Sequence, residues 1–125
     1  MKFYSRKWVK PEDLNANGSL FGGRLLAWID EEAVIYAMCQ LDSRNIVTRF
    51  MSEINFLNSA HHGDVVELGI ETISVGKSSI TLKCVARNKV TKQEILQIDK
   101  LVFVLLDEYG RPKAHKLSLP LPAME

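Results

Sequence analysis

Apolar and polar positions along this chain follow two periods, first helical and then alternating. From about Phe21 or Gly22 to about Leu41, the apolar content falls on Leu25, Leu26, Ile29, Ala33, Val34, Ala37, Met38 and Leu41. At ~100° per residue, Leu26, Ala33, Ala37 and Leu41 line one stripe, while Trp28, Ile35 and Cys39 occupy much of the opposite side. Only Glu31, Glu32 and Gln40 interrupt this pattern. A helix that is apolar nearly all round is normally enclosed, and the small alanines suit close packing on a sheet.

Strand-like runs make up the rest. A short leading strand is expected from Phe3 to Val9, followed by the Asn15-to-Gly18 turn. From Asn45 to Leu57, Phe50, Ile54 and Phe56 share one face. From Asp64 to Ile73, Val66, Leu68 and Ile70 lie opposite Glu67 and Glu71. From Ser78 to Arg87, Ile80, Leu82, Cys84 and Ala86 face inward and Thr81, Lys83 and Arg87 outward. Ile95 to Leu106 ends apolar on both faces, as a central strand does. The connections at Val75-Gly76-Lys77 and Asn88–Lys92 are of hairpin length, so the pairing is antiparallel. The expected architecture is α+β: one long helix wrapped by a curved antiparallel sheet. Its edge strands need covering, and a dimer pairing them is the economical solution.

Length and charge narrow the function. At 125 residues this is a single domain, residues 1–125, with a core at about 3–107 and a surface tail at 108–125. Sixteen basic against fifteen acidic residues leave a net charge of +1, which offers no electrostatic case for nucleic acid or a membrane surface. Met1–Lys7 has no apolar run behind it and is not expected to be a leader. Cys39 and Cys84 sit in apolar segments and are expected to be buried free thiols, as in a reducing cytoplasm. No metal is expected at His61-His62-Gly63-Asp64, because adjacent histidines in a strand point apart.

The candidate chemistry lies between Asn15 and Asp30. Gly22 and Gly23 open the helix, where amides lack intrahelical acceptors and carry partial positive charge. Without Cβ atoms, they allow a ligand oxygen close approach, which makes an oxyanion site. Asp30 falls in the middle of the small apolar stripe, where a lone carboxylate is costly. It reads either as a general base or nucleophile, or as a polar group at a dimer interface or paired with a sheet arginine such as Arg49. In the turn, Asn17 reads as structural, whereas the Asn15 amide is open to orient a water or donate to a carbonyl. Gly76-Lys77-Ser78-Ser79 is either a plain hairpin or a phosphate or pantetheine contact. His115, in the tail, has no expected catalytic role.

These residues resemble a family. Asn15-x-x-Gly18-x-x-Phe21-Gly22-Gly23, followed by Leu25, Leu26 and Asp30, is similar to the acyl-CoA thioesterases of the hotdog fold, in the branch of YciA-like bacterial and cytosolic acyl-CoA hydrolases. Ile46-Val47-Thr48, Asn55-Phe56, Gly63–Val66, Gly76–Ile80, Phe103-Val104 and Gly110-Arg111-Pro112 extend the match in order. The resemblance implies hydrolysis of acyl-CoA to a carboxylic acid and CoA in the cytoplasm, with no cofactor beyond the CoA of the substrate. It implies Asp30 and Asn15 as catalytic residues meeting across a subunit interface, and Gly23 as the carbonyl-polarising amide. Gly22, Lys77, Ser78 and Ser79 are the expected CoA-side contacts. It further implies a homodimer with shared sites, assembled as a hexamer, a trimer of dimers. Ser52, Ser59 and His61-His62 depart from the family pattern and bear on acyl-chain preference. Two alternatives are a hotdog hydratase or dehydratase, which needs a histidine absent from Asn15–Asp30, and a non-catalytic acyl-CoA-binding module, which leaves Asp30 without a purpose.

Overall fold

The computed structural model describes residues 1–121, and residues 122–125 of the expected tail lie outside them. Seven elements follow in order: β1 (Lys2–Trp8), α1 (Gly22–Leu41), β2 (Ile46–Met51), β3 (Ile54–Phe56), β4 (Val65–Val75), β5 (Ser79–Asn88) and β6 (Glu94–Leu105). One turn of 3-10 helix at Pro11–Asp13 precedes α1. The sheet is antiparallel throughout and runs β1-β4-β5-β6-β2, with β3 also paired to β6. This is the expected single helix on a curved antiparallel sheet.

Alternation fixes which face meets the helix. Val66, Leu68 and Ile70 of β4, Ile80, Leu82, Cys84 and Ala86 of β5, and Leu96, Ile98, Leu101 and Phe103 of β6 are all buried. They form one cluster with Leu25, Ile29, Ala33, Ala37 and Leu41 of α1. β6 has partners on both sides, β5 on one and β2 with β3 on the other, as its two apolar faces required. Asp42 ends the helix in the left-handed region at φ 50°, its N–H bonded to the Met38 carbonyl, a conformation a short polar side chain tolerates.

The structure changes several expectations. The run from Asn45 to Leu57 is two strands, broken at Ser52 and Glu53. The pairing with β6 slips between Thr48 and Phe50, and a bulge of this kind reverses the inward and outward phase. Phe50 is consequently 52% exposed, and Met51 packs on the core instead. Phe50 and Phe56 therefore do not share a buried inner face with Ile54. The helix is also not enclosed by its own sheet: Ala27, Ile35 and Cys39 stay exposed, so the Cys39 thiol is not buried. Cys84 is buried as expected; burial, with the nearby Asp30 charge, pushes its thiol up to about 12.

The outer face of the sheet carries one buried carboxylate. Glu67 is 4% exposed and pairs across the strands with Arg87, whose Nε donates to it at 2.6 Å, while Lys92 Nζ reaches it at 3.3 Å. Burial pushes the Glu67 carboxyl up, but the bonds and charges of Arg87 and Lys92 outweigh it and hold it below the usual range. The Arg87 guanidinium lies 3.6 Å over the Phe3 ring, which ties β1 into the same layer.

Candidate active site

The helix entry is built around Asp13, a buried carboxylate that alternation did not single out. Its Oδ2 accepts the Lys10 N–H at 2.9 Å, its Oδ1 lies 3.3 Å from Arg24 Nε, and its carbonyl accepts the Phe21 N–H at 2.9 Å. Asp13 thus binds the turn before the helix to the helix itself.

Between them lies the Asn15–Ser19 turn. Asn15 Oδ1 accepts the N–H groups of Asn17 at 2.9 Å and Ser19 at 3.2 Å. Its Nδ2 donates to Ser19 Oγ at 3.1 Å, and Gly18 takes φ 82°. The expected division of labour is reversed: the Asn15 side chain builds the turn, and Asn17 contributes its main-chain N–H. With the oxygen committed, the Asn15 amide is held in one orientation, and its second N–H is left to donate. Asn15, Ser19, Gly22, Leu25 and Phe56 line one cleft of about 330 Å³.

Phe21 caps the helix without a side-chain hydrogen bond. Its carbonyl takes the N–H groups of Arg24 and Leu25 at 3.0 and 3.1 Å. Among the described residues, nothing accepts from the amides of Gly22 and Gly23. No acidic residue occupies the first turn, so the positive end of the helix is not neutralised. Aromatic rings explain the glycines: a Cβ on Gly22 would lie 3.1 Å from Phe56, and one on Gly23 2.9 Å from Phe21.

Asp30 is half-buried, not at the centre of the buried stripe. The residues that sink into the core are Leu25, Ile29, Ala33, Ala37 and Leu41. Asp30 lies on the neighbouring ridge with Leu26, Val34 and Met38, all half-buried. The helical wheel gave relative angles but not the direction of the sheet, so it could not separate these two ridges. The partner of Asp30 is not Arg49: Thr48 Oγ1 donates to Asp30 Oδ1 at 3.0 Å. Thr48 is the residue that sequence reasoning passed over. Its signal was present, because it stands two residues after buried Ile46 on the same strand face.

Along the helix axis, Gly23 and Asp30 are about 10 Å apart. Asn15 and Gly22 share a cleft that Asp30 does not line. The hairpin residues Lys77, Ser78 and Ser79 are elsewhere in the chain. Ile80 pairs with Phe103, whereas Ala86 pairs with Leu96, the partner of Phe56. About 20 Å of strand therefore separates the hairpin from the helix start. One chain brings Asn15 and the glycines together, and sets Asp30 and the hairpin apart from them.

Among the described residues, no cluster of ligating side chains could hold a metal ion, and no helix is long and apolar enough to cross a membrane.

The sequence model of the thioesterase superfamily matches residues 17–95. An acyl-CoA thioester hydrolase of Buchnera aphidicola subsp. Baizongia pistaciae, named as uncharacterised, is 33% identical over 90% of this chain and 87% of its own. The acyl-CoA thioester hydrolase YciA of Escherichia coli K12 is 30% identical over 87% of this chain and 86% of its own. The crystal structure of the hexameric thioesterase y2039 from Yersinia pestis superposes with a TM-score of 0.84 at 30% identity, over 92% of this chain and 95% of that one.

Proposed function

The chain belongs to the thioesterase superfamily and is an acyl-CoA thioester hydrolase; we propose that the reaction runs on the Gly22 and Gly23 amides and Asn15 of one subunit together with Asp30 of the partner subunit. The thioester carbonyl oxygen sits against the two glycine amides, where the helix end stabilises the charge that develops on it. Asp30 of the partner subunit, held by the Thr48 hydroxyl of its own chain, either activates a water or attacks the carbonyl directly. Asn15, in the same cleft as Gly22, directs its remaining N–H at the water or the carbonyl. The thiolate leaves with little acid assistance, so no histidine is needed. CoA is part of the substrate, and no further cofactor takes part. Lys77, Ser78 and Ser79 contact the CoA end.

The observation that supports this most is that one helix carries both halves of a site, set about 10 Å apart so that two copies complete it. Two amides have no acceptor, and a carboxylate two turns on is oriented by a threonine hydroxyl. The shared site is supported by a cleft that joins Asn15 to Gly22 without Asp30. The working assembly is a homodimer, built into a hexamer as a trimer of dimers, in line with the hexameric neighbour. Two free thiols fit a cytoplasmic location.

The test is release of CoA from a panel of acyl-CoAs. Asp30→Ala is expected to abolish turnover while the protein stays folded; hydrolysis near the parent rate would sink the assignment. Asn15→Ala is expected to lower kcat more than it changes KM. Mixing the two inactive variants under conditions of subunit exchange restores activity when sites are shared. No recovery from verified heterodimers rejects the cross-subunit arrangement.

A further inference from the structure

His115 ties the C-terminal segment to the hairpin proposed to meet CoA. Its backbone N–H donates to the Lys77 carbonyl at 3.0 Å. Its ring Nδ1 accepts the Leu117 N–H at 3.1 Å, so the ring proton is on Nε2, which donates at 2.7 Å to the Ser79 carbonyl, an oxygen that also accepts the Gly76 N–H at 3.0 Å. The remaining carbonyl, that of Ser78, accepts the Leu105 N–H at 2.8 Å. Three successive carbonyls of the hairpin are therefore committed to the protein. The segment is held on both sides of His115: the Lys113 N–H bonds to the Leu105 carbonyl at 2.8 Å, and Leu117 packs against the core.

The consequence is electrostatic. A carbonyl oxygen facing an anion is repulsive, and here all three are occupied. The main-chain N–H groups of Lys77 and Ser78 have no acceptor among the described residues, and Lys77 has no ion pair there. The donors the hairpin leaves uncommitted are therefore the two amides and the exposed Lys77 ammonium. Lys113 and Lys116 flank His115 on the same segment, and neither is ion-paired among the described residues. Such a loop receives the phosphates of a CoA thioester when its carbonyls are held back.

We propose that His115 is a positioning residue for the CoA end of the substrate, strapping the Gly76–Ser79 hairpin so that its donors face the ligand. The inference rests on the hairpin's proposed contact with CoA. It separates His115 from a plain packing role, because the effect must follow the CoA portion of the substrate and not the thioester.

The experiment compares a short-chain acyl-CoA with the matching acyl N-acetylcysteamine thioester, which has the reacting bond but no phosphates. His115→Ala is expected to raise KM for acyl-CoA several-fold, up to about tenfold for one lost hydrogen bond, with kcat within about twofold and the truncated substrate unaffected. Tryptic cleavage after Lys77 is expected to accelerate in the same variant. His115→Gln, whose amide also reaches the Ser79 carbonyl, is expected to restore KM. Equal losses on both substrates, or an unchanged KM where Lys77→Ala raises it, overturn the strap alone. Unchanged cleavage after Lys77 overturns it whatever the kinetics. If Lys77→Ala also leaves KM for acyl-CoA unchanged, the hairpin's contact with CoA is lost, and the proposed role of His115 with it.

Discussion

Thr48 sets the terms on which Asp30 can act. A carboxylate on a half-buried ridge samples several rotamers unless a donor selects one, and Thr48 Oγ1 at 3.0 Å does so. Thr48→Val keeps the shape and removes the donor. It is expected to lower kcat by about tenfold with a smaller change in KM, measured as CoA release under saturating acyl-CoA. Thr48→Ser, which keeps the hydroxyl, is expected to recover most of the loss. At this scale the sequence was informative about residue type and weak about partners. Asp30 was legible because a carboxylate among apolar neighbours is costly. The face of Thr48 could be read from its spacing to Ile46, but its bond to Asp30 could not, because that partner is on another element. The Asn15 turn was legible as a turn, but which of the two asparagines closes it depends on dihedral angles that the letters do not contain.

At the scale of elements, β4 and β5 share one charged lock on the outer face of the sheet. Glu67 and Arg87 are direct cross-strand partners, and Arg87 in turn covers Phe3 of β1. Arg87→Met is expected to destabilise the fold by about 2 kcal/mol, since a buried carboxylate loses its best donor while Lys92 remains. Urea denaturation with an unchanged m-value checks this. The lock also has a pH dependence of definite sign. The folded-state carboxyl of Glu67 is held below its unfolded value. Its stabilisation is full above the unfolded pKa and is lost as pH falls through the folded one. Denaturation midpoints measured down the acid range are expected to fall more steeply in the parent than in Glu67→Gln. Alternation predicted that Glu67 faces away from the core, but not that it is buried there, because the covering side chains come from β1 and β5.

For the whole molecule, the uncovered surface is as informative as the core. Val47 and Phe50 on edge strand β2 are 46% and 52% exposed, and Ile35 on the helix is 47% exposed. Ile35 is one of the positions that made the helix read as enclosed, and the chain's own sheet leaves it open. In the proposed homodimer, a second copy lying on β2 and the outer helix face would cover these residues. Val47→Asp with Phe50→Asp is expected to shift the protein to monomer in sedimentation velocity. Activity is expected to fall with it, since the proposed site needs Asn15 and Asp30 from different chains. A monomeric variant retaining full turnover would falsify the shared site.

By itself, the sequence determined the order of the helix and the strand-forming runs, the antiparallel pairing of the later strands, the core faces of β4 and β5, the central place of β6, and the helix from about Gly22 to about Leu41. These depend on local periodicity, and a period of two or of 3.6 is written directly in the chain. It also pointed to the glycines and to Asp30, because each is an unusual choice for its local setting. The tertiary structure decided what local period cannot reach. The bulge after Thr48 turned Phe50 outward, and the sheet's curvature put Asp30 on a margin beside Thr48. The C-terminal segment brought His115 onto the hairpin. Each of these depends on where a second element lies, and that position is fixed only when the elements pack together.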